Sequence, residues 1–384
     1  MSSTRYLIVG GGMTGDAAVK GIREHDVDGS IVLVGAEQHP PYARPPLTKG
    51  LWSGSDEAKI WRGTQEAGAE LRLGHRIVSV DLESRRATDD AGEEYTWEKL
   101  LLATGGRPRT IPKSDGVVYF RTLDDYRAVR ARAAQDARAV VIGGGFIGSE
   151  IAAALATNGC HVTMLFPEHG IASRVLPAGL STFVTDYYRE RGIDVLTEQT
   201  VAAADGRSVT TGSGQTLDAD LVVAGLGIEP ATELAEAAGL AVDNGIVVDA
   251  LGRAEGHEHV FAAGDVASFP IDALGRRFRV EHEDHAKSHG RSVGANMAGA
   301  GIAYDQLPFF YSDMFDLGYE AVGEVDSRLA TVESWDEPNR KGTIAYVDPD
   351  GRPRGFLYWN VWDQVERGRE LIRAGAPLDV AALA

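Results

Sequence analysis

Two stretches of this chain repeat one another. Tyr6–Gly15 reads YLIVGGGMTG and Val140–Gly148 reads VVIGGGFIG. Each is a short apolar, β-branched run that meets a glycine cluster and then an alanine-rich stretch. A strand passes into a helix within so few residues only where the turn between them is nearly free of side chains. The pattern therefore prescribes a strand–turn–helix unit, met twice. Helices are expected over Gly15–Glu24 and Gly148–Asn158, and a second apolar strand after each, at Ser30–Val34 and His161–Phe166. The likeness continues downstream. A hairpin region near Asp89–Gly92 leads to LLLATGGRP at Leu100–Pro108, and one near Gly212–Gly214 leads to LVVAGLGIEP at Leu221–Pro230. Two similar nucleotide-binding units in tandem are implied, and an α/β fold with two Rossmann-like three-layer domains.

Both turns fit G-x-G-x-x-G. In Gly10-Gly11-Gly12-Met13-Thr14-Gly15 the first glycine makes the tight turn, the second admits a pyrophosphate to the backbone, and the third lets helix and strand pack closely. The helix N-terminus supplies N–H groups and the positive end of its dipole. Glu37, after the second strand, is placed to bind ribose hydroxyls. Gly143, Gly145 and Gly148 repeat the fingerprint. A protein that held one dinucleotide would need only one, so two are expected. In the second unit the expected acid is missing: Phe166 stands there, and Glu168 follows two positions later. Two readings stand for Glu168, a solvated loop acid or a ribose ligand. Arg174 is near enough in sequence to meet a pyrophosphate or a 2′-phosphate. Farther on, Phe261-Ala262-Ala263-Gly264-Asp265 ends an apolar strand, expected over Val260–Ala263, with an acid after glycine. Asp265 is either a ligand for hydroxyls or a turn residue capping a helix.

A helix is expected over His282–Ala298. Beyond Tyr304 aromatics rise and β-like alternation appears. Strands are expected at Thr343–Val347 and Gly355–Val361, joined around Asp350-Gly351, with a closing helix over Gln364–Arg373. This makes a small α+β C-terminal domain, residues 304–384, beside a first domain in two pieces (1–110 and 245–303) and a second at 111–244.

Composition narrows the rest. A net charge of −18 argues against nucleic acid, whose phosphates need Lys and Arg. With 43% hydrophobic residues a full core is possible without a metal or disulfide staple, and no metal site is expected. The single cysteine, Cys160, is expected in the core and favours a reducing, cytoplasmic setting. The first strand begins almost at once, so no signal peptide is expected, and no apolar run approaches a membrane span.

Taken with Ala103-Thr104-Gly105 and Ala263-Gly264-Asp265, the two glycine motifs resemble the FAD-dependent pyridine nucleotide oxidoreductases. Pro41-Tyr42-Ala43-Arg44-Pro45-Pro46-Leu47-Thr48-Lys49 is similar to the ferredoxin and rubredoxin reductase branch and the related apoptosis-inducing factors. Leu165–Glu168, Arg279–Ala286, Tyr311–Asp313 and Gly318–Glu320 lean toward the latter. The resemblance implies FAD on the first unit, touched by Gly10, Gly12, Met13, Thr14, Gly15, Glu37, Arg44, Lys49, Ala103, Thr104, Gly105, Asp265, Glu281, His282 and Tyr311. It implies NADH, in preference to NADPH, on the second, touched by Gly143, Gly145, Phe146, Ile147, Gly148, Glu150, Glu168, Arg174 and Gly227. Lys49 would lie at the reactive edge of the flavin and pair with Glu150 beside the nicotinamide. The alternative is that both are unrelated surface charges.

The branch usually has Trp where Tyr311 stands, and ferredoxin reductases commonly have Trp at Glu283. No C-x₂-C or C-x₄-C pair is present, so a thiol relay is excluded. Electrons would pass to a ferredoxin or rubredoxin, or to a quinone, oxygen or another small oxidant. A third reading is a slow enzyme whose NADH-bound form signals through a partner or dimer. A monomer or a homodimer is expected. The acidic balance disfavours an acidic ferredoxin unless Arg352, Arg354, Arg367, Arg369 and Arg373 form a patch.

Overall fold

The computed structural model of the chain describes residues 2–379. The chain divides into two compact units. The first comprises Met1–Ala43, Glu57–Arg107 and Glu229–Pro308; the second comprises Arg44–Asp56, Pro108–Ile228 and Phe309–Ala384.

In the first unit the strands Glu70–Leu73, Ile31–Gly35, Ser2–Val9 and Glu94–Leu102 lie side by side in parallel. Besides Ser2–Val9, Glu94–Leu102 serves two further partners. Its first half pairs antiparallel with Arg86–Asp89, and its last residues pair in parallel with Val260–Ala262. Strands buried on both faces read as continuous apolar runs, and Ile31–Gly35 is buried throughout. Helices Met13–Arg23 and Glu283–Met297 pack on this sheet through Ala18, Val19, Ile22, Val293 and Met297 against Tyr6, Ile8, Leu101 and Phe261. The two helices approach closely because glycine lines the seam. A Cβ on Gly294 would stand 2.2 Å from the Ala18 carbonyl oxygen, and one on Gly21 2.0 Å from that of Arg291.

The second unit carries a five-stranded parallel sheet in the order Asp194–Leu196, His161–Leu165, Arg138–Ile142, Leu221–Ala224, Val118–Tyr119. Helices Leu123–Arg132, Phe146–Thr157 and Ala178–Glu190 belong to it, the first closed by a capping box between Thr122 and Asp125. Its C-terminal part is a five-stranded antiparallel sheet, Phe309–Met314, Leu317–Gly323, Pro353–Trp359, Lys341–Val347, Ala330–Glu337, with helix Val365–Ala374. No helix among the described residues is long and apolar enough to cross a membrane.

Both glycine-turn helices begin two residues earlier than expected, at Met13 and Phe146 rather than Gly15 and Gly148. The middle of the motif is itself the helix start: Gly12 and Gly145 are the N-caps. Cys160 is buried and its thiol is pushed up by desolvation, as befits a core residue.

Candidate functional site

In the first unit, Gly10 has φ +127°, and a Cβ there would fall 2.1 Å from the Ala103 carbonyl oxygen. Only glycine permits that approach. A Cβ on Gly15 would stand 2.3 Å from the Gly10 carbonyl oxygen. Gly12 is different. Among the described residues no atom lies within 4 Å of the place its Cβ would take, and no side chain caps the helix it begins. A turn with an open cradle and an uncapped helix start fits the diphosphate of a dinucleotide. Gly264 (φ +74°) rests against Thr14, where a Cβ would meet Oγ1 at 2.2 Å. The Ala263-Gly264-Asp265 segment is thus held at the first turn of Met13–Arg23, and Met13 and Thr14 are buried there.

Other residues of this unit have defined partners. Glu37 accepts a hydrogen bond from the Tyr42 hydroxyl at 2.5 Å. Thr104 spends its hydroxyl on the Ala231 carbonyl at 2.8 Å, and Gly105 accepts from the Ala231 N–H at 2.9 Å. Arg279 binds the Glu281 carboxylate at 2.6 Å and donates to the Asp265 carbonyl at 3.3 Å. His282 is the N-cap of Glu283–Met297, and no side chain among the described residues caps that helix. Burial holds its imidazole down to about 4, with the Asp265 carboxylate pulling the other way, so at neutral pH it carries no charge.

In the second unit the outer glycines repeat the geometry. Gly143 (φ +115°) would place a Cβ 2.3 Å from the Gly225 carbonyl oxygen, and Gly148 one 2.0 Å from that of Gly143. Gly145, again an uncapped N-cap, has no described atom within 4 Å of its Cβ position. Gly227 has φ +79° and is equally open.

Backbone hydrogen bonds fix the correspondence between the units. Gly10 N–H donates to Val34 and Gly143 N–H to Leu165; Ala103 N–H donates to Val9 and Gly225 N–H to Ile142. Phe166 is therefore the counterpart of Gly35, and Glu168 the counterpart of Glu37. The carbonyls of the two acids even serve alike, accepting from Gly74 N–H and Glu198 N–H. The expectation that Phe166 occupies the acid's place is corrected. Its side chain is 1% exposed and its ring lies beneath Gly144. Glu168 is not solvated alone either: it pairs with Arg174 at 2.8 Å.

Phe146 packs edge-on against Phe310, with ring centroids 5.6 Å apart, whereas Ile147 is exposed. Lys49 and Glu150 are not unrelated surface charges. Lys49 Nζ lies 2.6 Å from Glu150 Oε1, with Glu150 buried, and 3.1 Å from the half-exposed Asp313. It also stands over the Tyr311 ring at 5.4 Å. Glu150 accepts from Thr48 Oγ1 at 2.6 Å and from Ser312 Oγ at 2.7 Å. Arg44, in the same unit, donates to the Arg121 carbonyl at 2.6 Å. Motif reading gave no role to Thr48, Ser312, Asp313 or Arg279. One signal was available: Phe310, Ser312 and Met314 alternate inward along a strand, and a serine among apolar core positions needs a partner.

Comparison with known proteins agrees with this geometry. The pyridine nucleotide-disulphide oxidoreductase family model matches residues 4–290, and a model for the C-terminal region of mitochondrion-associated apoptosis-inducing factor matches residues 293–350. The chain belongs to the pyridine nucleotide-disulphide oxidoreductase family. It is similar to the ferredoxin–NAD(+) reductase component of an anthranilate 1,2-dioxygenase system from Burkholderia cepacia, 36% identical over 100% of this chain and 98% of that one. It is 30% identical to apoptosis-inducing factor 1 of Dictyostelium discoideum, over 96% of this chain and 78% of that one. Among solved structures it resembles putidaredoxin reductase in its covalent complex with putidaredoxin: TM-score 0.92, 28% identity, covering 100% of this chain and 96% of that one. The protein is thus an FAD-dependent pyridine nucleotide oxidoreductase of the ferredoxin-reductase type. With one cysteine it has no redox-active disulfide.

Proposed function

We propose that the protein oxidises NADH, in preference to NADPH, and passes the electrons to a ferredoxin- or rubredoxin-type protein in the cytoplasm. FAD is assigned to residues 1–110 with 245–303, the nicotinamide dinucleotide to 111–244, and 304–384 to a separate C-terminal domain. Gly10, Gly12, Gly15, Met13 and Thr14 would hold the FAD diphosphate, Glu37 its adenosine ribose, and Asp265 its ribityl hydroxyls. Gly143, Gly145, Gly148 and Gly227 would hold the second diphosphate, Ile147 the nicotinamide face, and the Lys49–Glu150 pair its carboxamide end. FAD, when bound, accepts two electrons together from a reduced nicotinamide and releases them one at a time.

The observation that carries the nucleotide preference is the register of Glu168 with Glu37. A carboxylate at that place accepts hydrogen bonds from a ribose diol and repels a 2′-phosphate. For the acceptor, support comes from the similarity to a ferredoxin–NAD(+) reductase component and to putidaredoxin reductase, and from the lone, buried cysteine, which leaves no thiol to carry electrons onward. A strong basic docking patch is not part of the reading. Arg354 pairs with Glu324 at 2.6 Å, Arg369 with Glu366 at 2.5 Å and Arg352 with Asp350 at 3.4 Å. We therefore assign a partner that is not strongly acidic. The match at residues 293–350 favours a second reading, a slow NADH oxidase or quinone reductase, or an NADH-responsive interaction protein.

The test is rapid-mixing reduction by NADH and by NADPH, then reoxidation by air, a quinone, a ferredoxin or a rubredoxin. The proposal expects NADH to act at least about 10-fold better, the scale of one charge-assisted contact, and an iron–sulfur or rubredoxin-type protein to be the fastest oxidant. Fastest reoxidation by air or a quinone supports the oxidase or quinone reductase; a reduced enzyme that persists with all four, and changes its sedimentation, supports the interaction protein.

A further inference from the structure

A carboxylate accepts hydrogen bonds through two oxygens with about four lone-pair sites, and Glu150 uses three of them on residues of its own unit. Oε1 takes Lys49 Nζ and Ser312 Oγ; Oε2 takes Thr48 Oγ1. Ser312 is wholly buried, on the inward face of Phe309–Met314, where its neighbours on that face are Phe310 and Met314. A hydroxyl in such a place is destabilising unless it is bonded, and an apolar residue would serve the core as well. What the apolar residue could not do is hold a carboxylate. The next residue on the opposite face, Asp313, takes the other side of Lys49. One strand of the C-terminal domain thus contacts both members of the Lys49–Glu150 pair. Across the hairpin, Tyr319 lies in register with Ser312, and its phenol is raised well above its ordinary range by burial and by the Glu150 charge. It stays neutral and offers no competing anion.

We propose that Ser312, with Thr48, is a positioning residue of the oxidoreductase reaction, fixing the Glu150 carboxylate in the one orientation from which it orders Lys49 and the nicotinamide end of the dinucleotide. The inference rests on the reading that the Lys49–Glu150 pair serves the nicotinamide. Neither hydroxyl touches the dinucleotide in this account; each acts through Glu150. A loosened Glu150 would still allow NADH to bind through the glycine turn and Glu168, but in poorer alignment for reaction.

The experiment uses the FAD-loaded full chain as wild type, Ser312→Ala, Ser312→Thr, Glu150→Gln and the Glu150→Gln/Ser312→Ala double variant. Three quantities are read: the limiting rate of flavin bleaching by NADH, the NADH dissociation constant from fluorescence quenching, and bleaching by dithionite, which needs no nicotinamide alignment. Ser312→Ala should lower the limiting rate on the order of 10-fold, the size of one lost hydrogen bond to a charged group. It should leave NADH affinity within about threefold and the dithionite rate unchanged. Ser312→Thr should restore most of the rate. In the Glu150→Gln background the serine change should add less than about twofold, because interacting residues are not additive. A slowed Glu150→Gln with an unslowed Ser312→Ala overturns the inference alone. So does a serine effect of the same size in both backgrounds. Glu150→Gln reduced at the wild-type rate overturns the underlying reading of the pair, and the inference falls with it.

Discussion

At the middle glycine the two turns part company. Gly11 rests on another glycine, its Cβ position 3.1 Å from the Cα of Gly35, so backbone meets backbone. Gly144 rests on the Phe166 ring, its Cβ position 2.8 Å from the ring carbons. The outer glycines behave alike in both turns, because a tight strand-to-helix passage and a bare N-cap impose the same demands wherever they occur. What lies beneath is free to differ. The acids then fall at the same register, two residues past the support, but with different company: a tyrosine hydroxyl on Glu37 and an arginine on Glu168. The shared features are those a diphosphate requires, and the variable ones are packing.

The largest effects should come from the open glycines. Gly12→Val has space to fold, since no described atom stands within 4 Å of its Cβ position, yet its methyl groups would fill the FAD cradle. FAD affinity should fall by about 100-fold or more. Gly145→Val should do the same for NADH while the protein stays yellow. Crossed results, with Gly145→Val losing FAD, would break the assignment of the two turns. Phe166→Ala should be the costliest for folding, by about 3–5 kcal/mol, the range for deleting a buried aromatic. Calorimetry should show it, together with weakened NADH binding and normal FAD content. Unchanged stability would mean the ring does not support Gly144. Glu168→Gln should weaken NADH about 10-fold and narrow the preference over NADPH. Glu37→Gln should act on FAD alone.

Much of this was legible in the sequence, and for a physical reason. Strand, glycine turn and helix are contiguous, so both units announce themselves. The fit of Lys49 to Glu150 could be reached only through family likeness, since 101 residues separate them. The second acid, Glu168, is open to two readings in the sequence because the apolar run continues through Phe166, whereas the strand ends at Leu165 and Phe166 folds beneath the turn. In the C-terminal domain Thr343–Val347 and Gly355–Val361 stood out beside a turn signal. The other three strands of that sheet did not: Phe309–Met314 is aromatic-rich, Leu317–Gly323 carries two glycines, and Ala330–Glu337 is largely exposed or half-exposed.

The smallest effect concerns a feature that only the first unit has. His285 and His289 are buried on Glu283–Met297, His282 stands at its N-cap, and burial holds His285 down to about 3. Their folded values lie below the ordinary 6.5, so between pH 6.5 and about 4 the unfolded chain binds more protons than the folded one. Stability is full above pH 6.5 and declines as pH falls through that window. The melting temperature should drop by a few °C or more from pH 7 to pH 5, and His285→Phe should flatten the decline. A drop of the same size in His285→Phe would remove that residue from the account.

If two separate turns hold two redox dinucleotides, anaerobic titration of the FAD-loaded protein with NADH should bleach the flavin absorbance with about one equivalent. A protein that takes up no FAD, or one whose bound flavin bleaches with dithionite but never with NADH or NADPH, would contradict it.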